Sequence, residues 1–414
     1  MTPKIAIIGA GPGGCMLARL LHLRNIPCTI YEAEQSINYR SQGGTLDLRT
    51  NTGLAAVKEA GLYDEFLKNA RFDGEYLLVT DKKLTTWMKR PAGSPDKKNN
   101  TMEAPEIDRK VLRKMLADSL PDGIVRWGYK LLRVDEDFSL HFANGTVESG
   151  FDLIVGADGA WSKVRNLVTS QKPYYCGIGG YAISIPDAER SAPDAYKLVN
   201  RGSVFAYSDM KHINGQQLGD GSLKISVYSQ RNEDWMTTSG FDVNDLTAVK
   251  KAIREEFHDW DPKLLDFVDK SETNLRSYNL YMLPVGFRPE HKKGITLLGD
   301  AAHLMSPFAG IGVNTAFYDA VLLANAISAS IQSGDPDDLD SYIVKYEDDM
   351  YTFAKDGQQL TWETMNDMLL TPGAPRTTIE SWMMRFIRQE FPKWTHPLMA
   401  ILVYGGFFIY KLFV

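Results

Sequence analysis

Lys4-Ile5-Ala6-Ile7-Ile8-Gly9-Ala10-Gly11-Pro12-Gly13-Gly14 decides how this chain is read. Ile5 to Ile8 is a short, continuous apolar run, the pattern of a parallel strand buried on both faces. Cys15-Met16-Leu17-Ala18-Arg19-Leu20-Leu21 follows with helical spacing and no breaker. Between them lies a Gly-x-Gly-x-x-Gly turn completed by Pro12 and Gly13. In such a corner Gly9 permits the tight turn, Gly11 lets the backbone approach a pyrophosphate, and Gly14 lets helix and strand pack closely. The helix N-terminus then presents amide donors and a positive dipole end to an anion.

Glycine-rich turns also arise for steric reasons alone, so a second signal is needed. Cys28-Thr29-Ile30-Tyr31 reads as the next strand and ends at Glu32-Ala33. Glu32 lies 21 residues beyond Gly11, close to the place of a carboxylate that binds a ribose hydroxyl. Strand, glycines, helix, strand and terminal acid in one unit point to dinucleotide binding. A solvated strand-end carboxylate is the alternative for Glu32.

Working outward, 414 residues are enough for two or three domains. Hydrophobic content of 44% and charged content of 24% are those of an ordinary globular chain. With 46 basic against 52 acidic residues the formal charge is −6, which gives no electrostatic reason to expect nucleic acid. Three cysteines, Cys15, Cys28 and Cys176, form neither a disulfide framework nor a metal spacing. They suggest a reducing, cytoplasmic setting, and no metal is expected; the N-terminus running straight into the first strand leads one to expect no secretory leader.

Along the chain, Gly43-Gly44-Thr45-Leu46-Asp47-Leu48 suggests a loop passing close to something. Residues 53–70 read as one helix and 91–101 as a polar loop. Glu106 to Leu120 reads as an amphipathic helix, with Arg109 in its first turn, where an anion partner would explain a cation. Phe151 to Ala157 is another buried strand running into Asp158-Gly159 and a helix. From Tyr174 to Leu283 period-two runs indicate a mostly antiparallel sheet, interrupted by one helix near 246–257. Ile295 to Leu298 returns to a buried strand, followed by Gly299-Asp300-Ala301-Ala302-His303, Pro307 to Gly312 and a helix from Val313.

The expected fold is therefore α/β: a Rossmann-like nucleotide domain over 1–173 and 286–335, an inserted antiparallel sheet over 174–285, and a helical region over 336–414. The last seventeen residues, Leu398 to Val414, carry one charge, Lys411. As a helix they would be about 25 Å long, a little short for a hydrocarbon core. Packing on the protein is the first expectation, and contact with a membrane surface is the alternative.

Gly9-x-Gly11-x-x-Gly14 with Glu32, Asp158-Gly159, and Gly299-Asp300 followed by Pro307 stand in one order. The set resembles the group A flavin monooxygenases, the p-hydroxybenzoate hydroxylase-like family, over nearly the whole chain. Gly43 to Leu48, Glu106 to Arg109 and Gly299 to Gly312 look most like the tetracycline-inactivating monooxygenases. The resemblance implies a non-covalently bound FAD, with Gly11 and Glu32 at its pyrophosphate and adenosine ribose. Arg109 would reach the pyrophosphate and ribityl region, and Asp300 the ribityl chain. Pro307, Gly310, Gly312 and Val313 would cradle the pyrimidine edge, with Gly43-Gly44 and Asp47 beside the ring. Asp158 would serve the junction between FAD and the reductant. Gln42 stands where many relatives carry an arginine, which leaves Arg40 as its substitute. Ile311 replaces the usual glutamine, and Lys224 stands where the tetracycline enzymes use a histidine.

By the same resemblance NADPH or NADH, bound transiently, reduces FAD, and a flavin C4a-hydroperoxide delivers one oxygen atom from dioxygen. The substrate would be a small aromatic or polycyclic molecule, hydroxylated or epoxidised in secondary metabolism or antibiotic inactivation. Tyr181, Phe205, Lys224, Tyr228 and Phe308 are its candidate lining. No side chain is singled out as a catalyst, since the cofactor carries the chemistry. His303 reads as a structural histidine, and a monomer is expected. A dehydrogenase, oxidase or reductase on the same fold is the competing function. A halogenase and a non-catalytic nucleotide binder follow it.

Overall fold

The computed structural model describes residues 2–37, 43–72, 74, 76–91, 104–335 and 338–414. Arg40, Gln42 and most of the polar loop expected over 91–101 lie outside the described residues. The chain divides into two compact units.

The first unit comprises Met1–Ala70, Asn99–Tyr174 and Tyr281–Gln359. Its centre is a parallel sheet of five strands, in the order Ile295–Leu297, Leu153–Gly156, Ile5–Ile8, Cys28–Glu32, Val125–Trp127. Every residue of Ile5–Ile8 and Leu153–Gly156 is buried, as the unbroken apolar runs require of central strands. Helix Pro12–Leu23 starts with proline at its first position, where the missing N–H costs nothing. It packs against helix Gly312–Ser333, which stops at Gly334 in the left-handed conformation. A Cβ on Gly13 would lie 3.4 Å from Ala316 Cβ on that helix and 2.7 Å from Leu298 Cδ1 below it, so glycine makes room for both.

Three local expectations change in this unit. Residues 53–70 form two helices, Gly53–Glu59 and Tyr63–Asn69, because Gly61 takes a φ of +66° between them. Glu106–Asp108 is a strand paired antiparallel with Thr45–Asp47, and the helix begins only at Arg109. Ile107 is buried in either arrangement, so the apolar spacing did not separate them. After Asp158 the expected helix is reduced to one 3-10 turn, Arg165–Leu167.

The second unit comprises Arg71–Lys98, Tyr175–Leu280 and Leu360–Val414. Its sheet has seven strands: Thr273–Met282, Tyr174–Ile185, Leu223–Gln230, Lys211–Gln217, Ser203–Ser208, Leu77–Thr80 and Thr86–Arg90. Neighbours from Tyr174–Ile185 to Ser203–Ser208 run antiparallel, while Leu77–Thr80 joins in parallel. Alternate residues such as Ile183, Val204, Ile213 and Val227 form one apolar face, packed with Val199, Ile253, Leu264 and Phe267. Those four come from three helices, Pro193–Val199, Leu246–Glu256 and Pro262–Asp269, in place of the single one expected. Pro193 and Pro262 start two of these helices, at a position where the missing N–H costs nothing.

The division thus differs from the expected one. Arg71–Lys98 belongs with the sheet, and the expected C-terminal region is split, 336–359 going to the first unit and Leu360–Val414 to the second. Helix His396–Tyr410 packs against helix Ile379–Glu390 on one side, but none of its residues is fully buried. No helix among the described residues is long and apolar enough to cross a membrane. Cys15, Cys28 and Cys176 are free, and burial pushes each thiol up to about 12.

Candidate cofactor and active site

At the first corner, Gly9 has a φ of +109°, and a Cβ there would lie 2.4 Å from the Ala157 carbonyl oxygen. On Gly14 it would lie 2.2 Å from the Gly9 oxygen. Gly11 is different: its φ is −70° and nothing lies within 4 Å of the Cβ position. The fold therefore needs Gly9 and Gly14, while the room beside Gly11 is left for something else. Glu32 is buried, with Oε2 accepting from Ala10 N at 2.6 Å and Oε1 from Glu34 N at 2.9 Å. Its carboxylate braces the turn, and Ala33 beyond it is exposed. Arg113 pairs with Glu34 at 2.7 Å, both side chains nearly buried, and reaches the Ala10 oxygen at 3.4 Å. Sequence reading passed over this pair because Arg113 looks like one more polar helix position.

The strand pair Thr45–Asp47 and Glu106–Asp108 brings Gly44 to Arg109, whose amide donates to the Gly44 oxygen at 3.0 Å. Gly44 needs its φ of +104° for that approach, and Gly43 lies just before it, exposed. The Arg109 side chain is exposed in the first turn of its helix. Asp47 meets the second loop: its oxygen accepts from Asn314 Nδ2 at 2.8 Å. Asn314, buried, also accepts from the amides of Arg49 at 2.8 Å and Gly53 at 3.2 Å. Arg49 in turn donates to the Ala309 oxygen at 3.1 Å. One asparagine one turn into a helix thus fastens segment 47–53 to the loop 307–312. Nothing in its local sequence distinguishes it.

Asp158 is committed to its own turn. It accepts from the Ser162 hydroxyl and from the amides of Lys163 at 2.7 Å and Val164 at 3.4 Å. Burial raises its pKa against those hydrogen bonds. Arg165, also buried, joins this turn to the next corner, donating to the oxygens of Ala160 at 2.6 Å and Ala301 at 3.0 Å. Gly299 has a φ of +58°, and its amide donates to Asp319 Oδ2 at 2.8 Å. The same oxygen holds His303 Nε2 at 2.6 Å, with both side chains buried. Burial alone would lower the His303 pKa, but the charge and hydrogen bond of Asp319, with Asp300 nearby, carry it upward. His303 is thus satisfied by a carboxylate and not by backbone alone, and its Nδ1 is buried with no hydrogen-bond partner. Asp300 reaches solvent at the mouth of this corner, yet the loss of hydration around it raises its pKa, opposed by His303, Arg109 and Arg165.

Pro307 and Gly310 are exposed, Gly310 with a φ of +65°. Helix Gly312–Ser333 follows with no side-chain cap, no acid in its first turn, and open space at the Cβ position of Gly312 beside Val313. Helix Pro12–Leu23 begins the same way at Gly11. Two uncapped helix N-termini, each with a glycine that leaves room, suit a ligand with a pyrophosphate and an anionic ring edge. The residues present fit FAD.

In the second unit, the sheet face opposite the helices carries Phe205, Tyr207, His212, Lys224 and Tyr228. The ring of His212 stacks on Tyr207 at 4.2 Å and on Tyr228 at 5.7 Å. Tyr228 and Tyr278 share a hydrogen bond at 2.6 Å between their hydroxyls. His212 donates Nδ1–H to the Ala206 oxygen at 3.0 Å, and burial pushes its pKa down to about 3, so it stays neutral. His212 and Tyr278 were not among the expected lining residues. Tyr181 is not on this face: it lies in the helix-covered core, edge-on to Trp235 at 5.2 Å. Phe308 lies in the first unit, on the 307–312 loop.

These corners fit a flavin dinucleotide, and the comparisons with known proteins agree. The FAD binding domain family model matches residues 2–348, and the chain belongs to that family. It is 31% identical to monooxygenase penA of Penicillium thymicola, over 87% of this chain and 94% of that protein. Monooxygenase asqM of Emericella nidulans is 29% identical over the same shares. Among solved structures, Klebsiella pneumoniae HpxO complexed with FAD and uric acid has the same fold. Its TM-score is 0.73 at 19% identity, covering 97% of this chain and 96% of that one. The protein is an FAD-dependent monooxygenase, consuming a nicotinamide nucleotide and dioxygen.

Proposed function

We propose that the substrate is a small aromatic or polycyclic molecule, hydroxylated or epoxidised within secondary metabolism or the inactivation of foreign compounds. The stacked row of Phe205, Tyr207, His212 and Tyr228 carries this reading, since aromatic faces favour flat partners. Salicylate hydroxylase and 6-hydroxynicotinate 3-monooxygenase, both similar to this chain, are named for ring substrates. Neutral His212 adds a recognition group that carries no charge. Phe205, Tyr228 and Lys224 remain lining candidates on the sheet of the second unit; Phe308 is a separate candidate on the 307–312 loop of the first.

FAD, when bound, supplies the electron and oxygen chemistry. Within this chain, Gly11, Pro12 and Gly13 are assigned to the pyrophosphate and Glu32 to the ribose, through lone pairs its two amide contacts leave over. Asp300 and Arg109 are assigned to the ribityl region. The amides of Gly312 and Val313 would stabilise negative charge on the ring edge. Asp158, tied to its own turn, acts through Arg165 on the Asp300 corner. The enzyme works as a cytoplasmic monomer, consistent with three free thiols, Cys15 and Cys176 buried and Cys28 half-buried. Leu398–Val414 meets a membrane surface.

The test is anaerobic reduction of the flavin by NADPH or NADH across a panel of aromatic and alkaloid compounds. A true substrate accelerates bleaching and, under isotopically labelled dioxygen, yields a product carrying one labelled oxygen atom. Oxygen consumption without labelled product would move the assignment to an oxidase.

A further inference from the structure

The C-terminal helix His396–Tyr410 is held to the protein along one stripe. His396, Met399, Val403, Phe407, Tyr410 and Lys411 are half-buried and recur at three- and four-residue intervals. The end of the helix is fixed in place. Tyr410 donates its hydroxyl to the Thr86 oxygen at 2.7 Å, and Lys411 pairs with Glu380 at 2.6 Å. Arg376 donates to the oxygens of Lys411 and Val414, both at 2.7 Å.

The rest of its circumference is apolar and exposed: Leu398, Ile401, Leu402, Phe408, Leu412 and Phe413 are each 60% exposed or more. Of the eighteen exposed large apolar side chains on the described residues, eleven fall within 391–414, so they are concentrated there and not scattered. No acid occurs between Phe391 and Val414. The only lysines are Lys393, beside the exposed Trp394 at the entrance, and Lys411, already paired.

A protein partner covers one stripe of a helix, whereas hydrocarbon covers every side that is left. Fifteen residues span about 22 Å, short of the roughly 30 Å of a hydrocarbon core. Resting on the reading that this tail meets a membrane, we infer that it seats in a single leaflet without crossing. Burial of its exposed face holds it there, with headgroup charge contributing little. The formal charge of −6 on the chain supports that last point, since anionic headgroups repel it.

The experiment is flotation of the full-length, FAD-loaded enzyme with vesicles of phosphatidylcholine alone or with added phosphatidylserine, at low and high salt. Sedimentation without vesicles runs alongside. The expected result is flotation with the neutral vesicles that salt does not reverse. Ile401→Glu and Phe408→Glu should each lower the partition at least about tenfold while the protein stays yellow. Flotation only with anionic vesicles, reversed by salt, keeps the membrane contact and overturns the apolar seating. No flotation with either overturns both. A dimer that Ile401→Glu dissociates assigns the face to a second copy and overturns the lipid.

Discussion

The glycine corner of the first unit and the aromatic sheet face of the second are built in opposite ways. At Gly9 and Gly14 the missing side chains let backbone pack on backbone, and at Gly11 the same omission leaves bare backbone beside open space. On the sheet, Phe205, Tyr207, His212 and Tyr228 present side chains from three strands, while the backbone is consumed in the ladder. The first solution is local and compact in sequence. The second exists only once distant strands are in register.

The sharpest way to test the comparison separates two glycines that look alike. Gly14→Ala would drive a methyl group to 2.2 Å from a backbone oxygen. It should cost more than about 4 kcal/mol and leave little folded protein by circular dichroism. Gly11→Ala meets open space at an ordinary φ, so the apoprotein should melt within a few degrees of the parent. Its FAD affinity should nevertheless fall, read by equilibrium dialysis. Unchanged FAD binding in Gly11→Ala would sink the idea that backbone exposure at this position serves the cofactor.

Asp300→Ala removes a charged hydrogen-bonding group where neighbouring arginines point. FAD affinity should drop about 30- to 100-fold, with the fold retained, measured by flavin fluorescence on titration. Asn314→Ala strips a partner from the amides of Arg49 and Gly53 and from the Asp47 oxygen. A loss of about 2 kcal/mol in urea unfolding is expected, because buried donors are left unpaired.

The most gradual effect concerns the sheet. His212 is held neutral in the fold with a pKa near 3, while in the unfolded chain it titrates at about 6.5. Below pH 6.5 the unfolded state therefore binds the extra proton. Stability should fall by about 1.4 kcal/mol per pH unit as pH drops from 6.5 towards 3. His212→Phe should flatten that part of the profile, measured by denaturant midpoints from pH 7.5 to 5. An unchanged slope would show that His212 is not the group responsible.

How much was legible follows the same divide. Ile5–Ile8, the three glycines, Glu32 and the corners at Asp158 and Gly299 could be read because each is a run of adjacent residues with one geometric purpose. Arg113, Arg165, Asn314 and Asp319 could not, since each acts on a segment remote in sequence. Arg165 reaches Ala301, 136 residues away, and Asn314 reaches Arg49, 265 residues away. Period-two spacing locates the sheet but does not show which face the helices cover, so it does not separate Tyr181 from Phe205 and Tyr228. Leu77–Thr80, well before the insertion, joins its sheet by parallel pairing with Ser203–Ser208, a link no local pattern announces.

The three cysteines carry a practical consequence. An oxygenase that cycles without its substrate releases hydrogen peroxide beside its own chain, and peroxide attacks thiolates much faster than thiols. With Cys15, Cys28 and Cys176 each raised to about 12, almost none of their sulfur is ionised at neutral pH. Idle turnover should therefore spare all three from sulfenic acid formation, and the folded enzyme should resist iodoacetamide until it is denatured.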